Sequence, residues 1–295
     1  MTDRILLAAS YDLKIHAYNL ADCSPLGEYE INNSQANRIV VSANRFYAAA
    51  YTFILSYDAT GKNLKPLHSI SAHDSNVTDI CVTPTTLFSC SEDKTIKTWD
   101  RRTASVQQHI TTTSSLSSML ILSNGYEIIT GNEEGEVTVW DTRNSSSPFK
   151  MANVKSPVMS LSMSPQGQHF VASYMDGTTV RYKLNGNRLT EEFKIQAHDE
   201  IVLRCAHSPD GQLFATTSGD NSTKLWACET GEQRKVLKSD DDYEWIWDAS
   251  FTSDSKRLCT GSSDGVCRVW DVDSGNLLMQ TEKLEKCITT IAIVP

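Results

Sequence analysis

Short runs of alternating apolar and polar residues recur along the chain: "RIVVSAN", "DICVTP", "MLILSNG", "SLSMSPQG", "RCAHSPDG" and "DASFTSDS". A period of two places the apolar residues on one face of a strand. Endings such as Ser-Pro-Asp-Gly predict a tight turn after the strand. Beyond each turn comes a further apolar segment, and it ends in an aromatic residue. The pattern therefore predicts many short strands joined by turns.

The aromatic residues set a register. They are Tyr18 in "LKIHAYNL", Tyr57 in "FILSYDA", Trp99 in "TIKTWDRR", Trp140 in "EVTVWDTR", Tyr182 in "TTVRYKLN", Trp226 in "STKLWACE" and Trp270 in "VCRVWDVD". Their spacings are 39, 42, 41, 42, 44 and 44 residues. Six residues before each stand Asp12, Tyr51, Asp93, Glu134, Asp176, Asp220 and Asp264, in or beside turn sequences such as "EDKT" and "SDGV". Seven units, each with room for four short strands, define a seven-bladed β-propeller, an all-β fold. The units fill residues 1–295, so a single propeller is expected.

The ends predict how the ring closes. "RILLAAS" and "LKIHAYNL" match the second and third strands of a blade, and "KCITTIAIVP" matches a first strand. The C-terminal strand is expected to complete the N-terminal blade from inside, since an open ring would leave exposed edges.

Composition narrows the function. The 295 residues carry a net charge of −9, which argues against a nucleic-acid surface built from clustered Lys and Arg. No run of 18 apolar residues exists, so no spanning helix and no direct membrane insertion is expected. "MTDRILLAAS" lacks the features of a signal peptide, and neither end carries a lipidation signal. The eight cysteines form no CxxC pair and lie mostly in apolar strand patterns, as small core residues in a reducing compartment do. No metal or cofactor is expected. No GxSxG, HExxH, GxxxxGK[ST] or kinase-type loop appears, so the chain is read as no enzyme.

Residues near the start of each first strand face the opening of the central channel. A register on Val41, Val82, Leu122, Met163, His207, Phe251 and Ile293 puts these pairs there: Gln35 and Asn37, Asn76 and Thr78, Leu116 and Ser118, Pro157 and Met159, Ile201 and Leu203, Trp245 and Trp247, Cys287 and Thr289. Blades two and three offer amides and a hydroxyl. Blades five to seven offer an apolar arc, extended by Met175 and bordered by Tyr11. Such an arc marks a partner site, and Trp is a favoured anchor. Trp245, Trp247, Tyr243, Ile201, Leu203, Met159 and Met175 are the expected contact residues. Trp245 precedes the enclosed strand and reads as partner contact. Trp247 fits either partner contact or packing on the neighbouring blade. Asp240, Asp241 and Asp242 read as a solvated loop or an acidic rim that steers a basic partner. His207 stands where blade seven has Phe251 and reads as a satisfied structural histidine.

The Trp-Asp dipeptides at Trp99, Trp140 and Trp270 make this a WD-repeat chain. In such blades the turn Asp pairs with a His before the first strand, a Ser or Thr on the second strand, and the Trp. Two full sets are expected: His73, Ser89, Asp93 and Trp99, and His198, Thr216, Asp220 and Trp226. The other blades lack the His. More specifically, "WIWDASFTSDSKRLCTGSSDGVCRVWDVDSG", "KIQAHDEIVLRCAHSPDGQLFATTSGDNSTKLW" and "YAAAYTFILSYDA" resemble repeats of the G-protein-β-like subunit of target-of-rapamycin (TOR) kinase complexes. Tyr182 in place of Trp, and His207 in place of Phe, depart from that pattern.

The resemblance implies a non-catalytic subunit that binds and stabilises the catalytic region of a large TOR-type Ser/Thr kinase, alongside the other complex subunits, in growth signalling. It also implies a cytoplasmic location, with peripheral attachment to endomembranes through the complex. The alternative is another WD-repeat scaffold or peptide-binding adaptor, such as a ubiquitin-ligase substrate receptor. Glu92 and Glu133 would suit a peptide reader.

Overall fold

The computed structural model describes residues 4–31, 34–60, 64–143, 149–186, 188–238 and 244–294. Seven four-stranded antiparallel sheets stand around a central channel as the blades of a propeller. The strands run outward in chain order from an innermost first strand. Those first strands are Ile288–Val294, Ala36–Ser42, Val77–Val82, Leu116–Ile121, Val158–Met163, Val202–His207 and Ile246–Phe251, for blades one to seven.

Blade one draws on both ends of the chain. The strand Ile288–Val294 pairs antiparallel with Ile5–Ser10, with Ile5 opposite Val294 and Ala8 opposite Ile291. The strands Lys14–Asn19 and Pro25–Glu30 complete it. The closure expected from the sequence is therefore present, and it leaves no open inner edge at the junction.

The hydrophobic core lies between neighbouring blades. Leu7, Ile15 and Tyr29 of blade one pack with Ile39, Phe46 and Tyr57 of blade two. Tyr29, Phe46 and Tyr57 form an aromatic cluster with centroid separations of 4.8–5.6 Å. Close packing needs small residues at some blade contacts. At Gly131 a Cβ would lie 2.3 Å from Val158 Cγ1, so only glycine lets blade five approach blade four there.

The polar sets of blades three and six are assembled around a hydroxyl. His73 Nδ1 lies 2.9 Å from Asp93 Oδ2, and its Nε2 lies 2.7 Å from Ser89 Oγ. Trp99 Nε1 donates to the same Ser89 Oγ at 2.9 Å. His198, Asp220, Thr216 and Trp226 repeat this arrangement, each contact at 2.8 Å. The Ser or Thr is the hub, and the Asp reaches the Trp only through the His and the hydroxyl. Burial opposes ionisation of Asp220, but hydrogen bonds from His198 and Ser222 prevail and hold its pKa at about 2.

Other blades substitute for the missing His. Arg268 donates to Asp264 Oδ2 at 2.6 Å and to Ser262 Oγ at 3.0 Å in blade seven. In blade one His16, from the third strand, meets Asp12 at 2.7 Å. In blade five the hydroxyls of Tyr174 and Tyr182 lie 3.1 Å apart, so Tyr182 satisfies its polar end without an indole.

Candidate interaction face and channel

The site is built on a backbone irregularity that every blade shares. Each first strand carries a bulge near its start, where one residue has no partner on the second strand. These residues are Thr289, Asn37, Thr78, Ser117, Met159, Leu203 and Trp247, from blade one to blade seven. A bulge re-aims its side chain, here toward the mouth of the channel or the next blade.

Blade four corrects the sequence register. Ser117, not Ser118, occupies its bulge, and the residue two before it is Ser115, not Leu116. Leu116 and Ser118 are both buried. The alignment on Leu122 slipped by one because Ile121, not Leu122, ends this strand and pairs with Ile128.

The bulges divide by chemistry. Thr289 Oγ1 donates to Ala36 O at 2.6 Å, Asn37 Nδ2 to Val77 O at 2.9 Å, and Thr78 Oγ1 to Leu116 O at 2.9 Å. Ser117 Oγ donates to Val158 O. Each polar bulge thus stitches its blade to the first strand of the next, from blade one to blade five. Met159, Leu203 and Trp247 break this sequence. Leu203 and Met159 carry no donor to reach the next blade, and the buried Trp247 Nε1–H has no hydrogen-bond partner.

The apolar arc of the sequence reading is present in part. A depression of about 740 Å³ opens at the channel mouth, and Tyr11, Pro157, Met159, Met175, Ile201 and Trp247 line one side of it. Glu92, Glu133, Asn37, Asn76 and Thr78 line much of the rest, with Leu116, Ser117, Val158 and Thr289 between them. Met175 is 53% exposed and Trp245 is 41% exposed. The Trp245 and Trp247 rings lie 5.4 Å apart at 49°. Trp247 is half-buried: its ring lies beside Trp245 of the same blade, and it lines the mouth.

Gly219 makes room for this group. A Cβ there would lie 3.2 Å from Ile201 Cγ2 and 3.3 Å from Trp245 Nε1, so Ile201 and Trp245 flank a bare backbone. Trp245 is held by its main chain: its N–H donates to Ser263 Oγ at 2.9 Å, and its carbonyl accepts from Ser263 N at 2.9 Å.

Two expectations change. Leu203 is 8% exposed and does not line the depression, so it belongs to the packing beneath the arc. Tyr243, with Asp240, Asp241 and Asp242, lies outside the described residues.

The sequence reading missed the channel wall. The residue after each bulge is polar: Thr290, Arg38, Asp79, Ser118, Ser160, Arg204 and Asp248. Arg38 Nε lies 3.3 Å from Asp79 Oδ1, and its Nη1 lies 3.7 Å from Asp248 Oδ2. Arg204 Nε lies 3.2 Å from Asp248 Oδ1. Asp79 Oδ2 also accepts from Ser118 Oγ and Met119 N, and Asp248 Oδ2 from Thr290 Oγ1 and Ile291 N. Ser118 Oγ in turn accepts from Leu161 N, and Ser160 Oγ from Cys205 N. Two Arg and two Asp thus neutralise one another around the channel while tying neighbouring first strands together. The signal was available in the sequence: every repeat has a polar residue one position after the rim residue.

At the far end of the channel His207 Nδ1 lies 3.0 Å from Ser162 Oγ, which also accepts from His207 N at 2.9 Å. Burial, with Arg181 and His169 nearby, pushes the His207 pKa down to about 3. Burial pushes the Cys81 and Cys228 thiols up to about 12, which removes thiolate chemistry there. Among the described residues, no group of three His, Cys, Asp or Glu side chains could hold a metal ion, and no helix is long and apolar enough to cross a membrane.

Seven blades whose polar groups are engaged in structural contacts, with exposed aromatic and apolar side chains beside the channel mouth, define a seven-bladed β-propeller. The chain belongs to the WD40 family (WD domain, G-beta repeat), whose pattern matches residues 64–100, 149–180, 189–227 and 231–271. It is similar to the target of rapamycin complex subunit wat1 of Schizosaccharomyces pombe, 28% identical over 212 residues that cover 68% of this chain and 67% of that protein. The target of rapamycin complex subunit LST8 of Mus musculus is 26% identical over 213 residues, 68% of this chain and 65% of that protein. WD repeat-containing protein 37 of Xenopus laevis is 28% identical over 184 residues, 57% of this chain and 36% of that protein. Among solved structures, a computationally designed protein superposes with a TM-score of 0.73 at 18% identity, covering 98% of this chain and 87% of that one. That likeness concerns the fold alone.

Proposed function

We propose that this chain is a non-catalytic subunit of a TOR-type kinase complex, docking on the catalytic region of the kinase and stabilising it. The observation that carries this reading is the similarity to two TOR complex subunits, one from a yeast and one from a mammal. The arc of Met175, Ile201, Trp245 and Trp247 supports it, because an exposed aromatic anchor on a rigid frame suits a stable protein interface. Rigid complementarity would hold the kinase region in one arrangement and so lower its tendency to unfold. In this reading the chain works in the cytoplasm, reaches endomembranes only through the complex, and serves growth signalling.

Affinity purification of the tagged chain from its own cells, followed by mass spectrometry, tests the proposal. A co-purifying large Ser/Thr kinase of the TOR type with its other subunits is expected. Recovery of other partners without that kinase would defeat it.

A second reading has its own support. WD repeat-containing protein 37 is similar over 57% of the chain, and Glu92 and Glu133 face the channel mouth, where a basic peptide would bind. A peptide-binding scaffold or ubiquitin-ligase receptor would follow if the same purification returned such partners.

A further inference from the structure

On the opposite face of the ring, a groove of about 650 Å³ runs between blades two and three. Arg45, His68, Arg101 and Arg102 line it. Among the described residues, none of these three arginines is paired with a carboxylate side chain, in a chain whose net charge is −9. Arg101 is held in place: its Nε donates to Tyr47 Oη at 3.1 Å, its Nη1 reaches Thr83 O, and its guanidinium lies 5.2 Å from the Tyr47 ring centre. The groove also holds one carboxylate, Asp100, which accepts the backbone N–H groups of Arg102 and Thr103 at 2.8 and 2.9 Å and lies within reach of the Arg102 charge, so the three arginines outnumber it.

The groove continues into a pit of about 80 Å³, walled by Ile54, Ile70 and Leu87. Ser56 also lines the pit; it is 5% exposed, and its Oγ has no hydrogen-bond partner. A buried hydroxyl without a protein partner is costly unless a ligand or an ordered water completes it. The pit shares Arg45, His68, Asp100, Arg101 and Arg102 with the groove, and adds the apolar walls and the unpaired Ser56 hydroxyl, so the pair asks for an anion and a small apolar group on the same ligand.

We propose that this groove binds a phosphorylated peptide segment, with the phosphate on Arg45, Arg101 and Arg102 and a neighbouring small apolar side chain in the pit. Arginine forks match phosphate oxygens, and a preorganised guanidinium loses little freedom on binding. A bare phosphate or a small polyphosphate would use the arginines and leave the pit empty, so the peptide accounts for more of the site. The inference is independent of the channel-mouth arc.

The test uses the full chain and two fluorescein-labelled pools of degenerate peptides, one with a central phosphoserine and one with serine, read by fluorescence anisotropy. The phosphorylated pool is expected to bind at least tenfold more tightly. The double variant R45Q/R102Q should remove that preference while the melting temperature stays unchanged, and Arg45→Glu alone should weaken binding as well. Equal binding of the two pools would overturn the proposal, as would a preference that survives in both variants. Inositol hexakisphosphate binding more tightly than the phosphorylated pool, with the same arginine dependence, would overturn the peptide in favour of a free polyphosphate.

Discussion

The Asp248 carboxylate accepts the Thr290 hydroxyl at 2.7 Å, joining the first strand of blade seven to the C-terminal strand that completes blade one. The same oxygen takes the N–H of Ile291, and the other oxygen takes the N–H of Ala249. Arg204 and Arg38 balance its charge. This buried carboxylate therefore sits on the seam of the ring.

Replacing Asp248 with Ala leaves Arg204 and Arg38 short of a counter-charge and strands the Thr290 hydroxyl and two backbone donors. Breaking a buried ion pair from one side costs about 3–5 kcal/mol, so the loss should fall in that range. Urea unfolding at pH 7 measures it, and Ser250→Ala on the same strand is the control. A loss below about 1 kcal/mol would mean that the ring of charges does not hold the seam.

Removal of residues 286–295 takes away the first strand of blade one and exposes the edge of Ile5–Ser10. Ile288 and Ile291 pack against Cys259 and Val269 of blade seven, so both flanks of the seam lose core contacts. The shortened chain should melt at a much lower temperature or fail to accumulate soluble. A melting temperature equal to that of the full chain would exclude closure by this strand.

The repeat made most of the fold legible. Aromatic spacing fixed seven blades, and the strand types at the two ends fixed the closure. The polar sets of His73 and His198 could be read because their residue types recur at fixed offsets. The channel ring could not be recognised so easily, since Arg, Asp, Ser and Thr alternate at the position after the bulge and no one residue type repeats. The rim register failed in blade four because Leu122 stands where blades five to seven carry Ser164, Ser208 and Thr252, so an apolar turn residue just past the strand was counted as the strand's last residue. Burial of Leu203 was also hidden, because a bulge residue points to the mouth or to the neighbouring blade according to what that neighbour offers.

Trp245 and Ile201 come from different blades and meet across Gly219, so they should act as one surface. Trp245→Ala removes a side chain that is 41% exposed, and the fold should survive it with little loss of stability. If the chain docks on a TOR-type kinase as proposed, Trp245→Ala together with Ile201→Ser should weaken capture of that kinase at least tenfold, an effect typical of a central aromatic anchor. Pull-down of the co-expressed kinase by the folded double variant is the measurement. Unchanged capture would place the interface on another surface.

His207 should make the ring acid-sensitive. Its pKa is pushed down to about 3 by burial, with Arg181 and His169 opposing the charged form, whereas an unfolded chain binds the proton at about pH 6.5. Its folded-state pKa is thus depressed. The contribution is fully present above pH 6.5 and is lost as the pH falls toward 3, because the unfolded state gains a proton that the folded state refuses. Each pH unit in that window costs about 1.4 kcal/mol, so the drop from pH 7 to pH 5 amounts to about 2 kcal/mol from this group. Buried His73 is depressed in the same direction and adds to the slope in both proteins compared. His207→Phe takes the residue that blade seven carries at the matching place, Phe251, and it keeps the backbone N–H that bonds Ser162 Oγ. The variant should lose less stability between pH 7 and pH 5 than the natural chain, by about 2 kcal/mol in urea unfolding at the two pH values. Parallel losses in the two proteins would show that His207 takes up a proton in the folded ring despite its burial and the nearby Arg181.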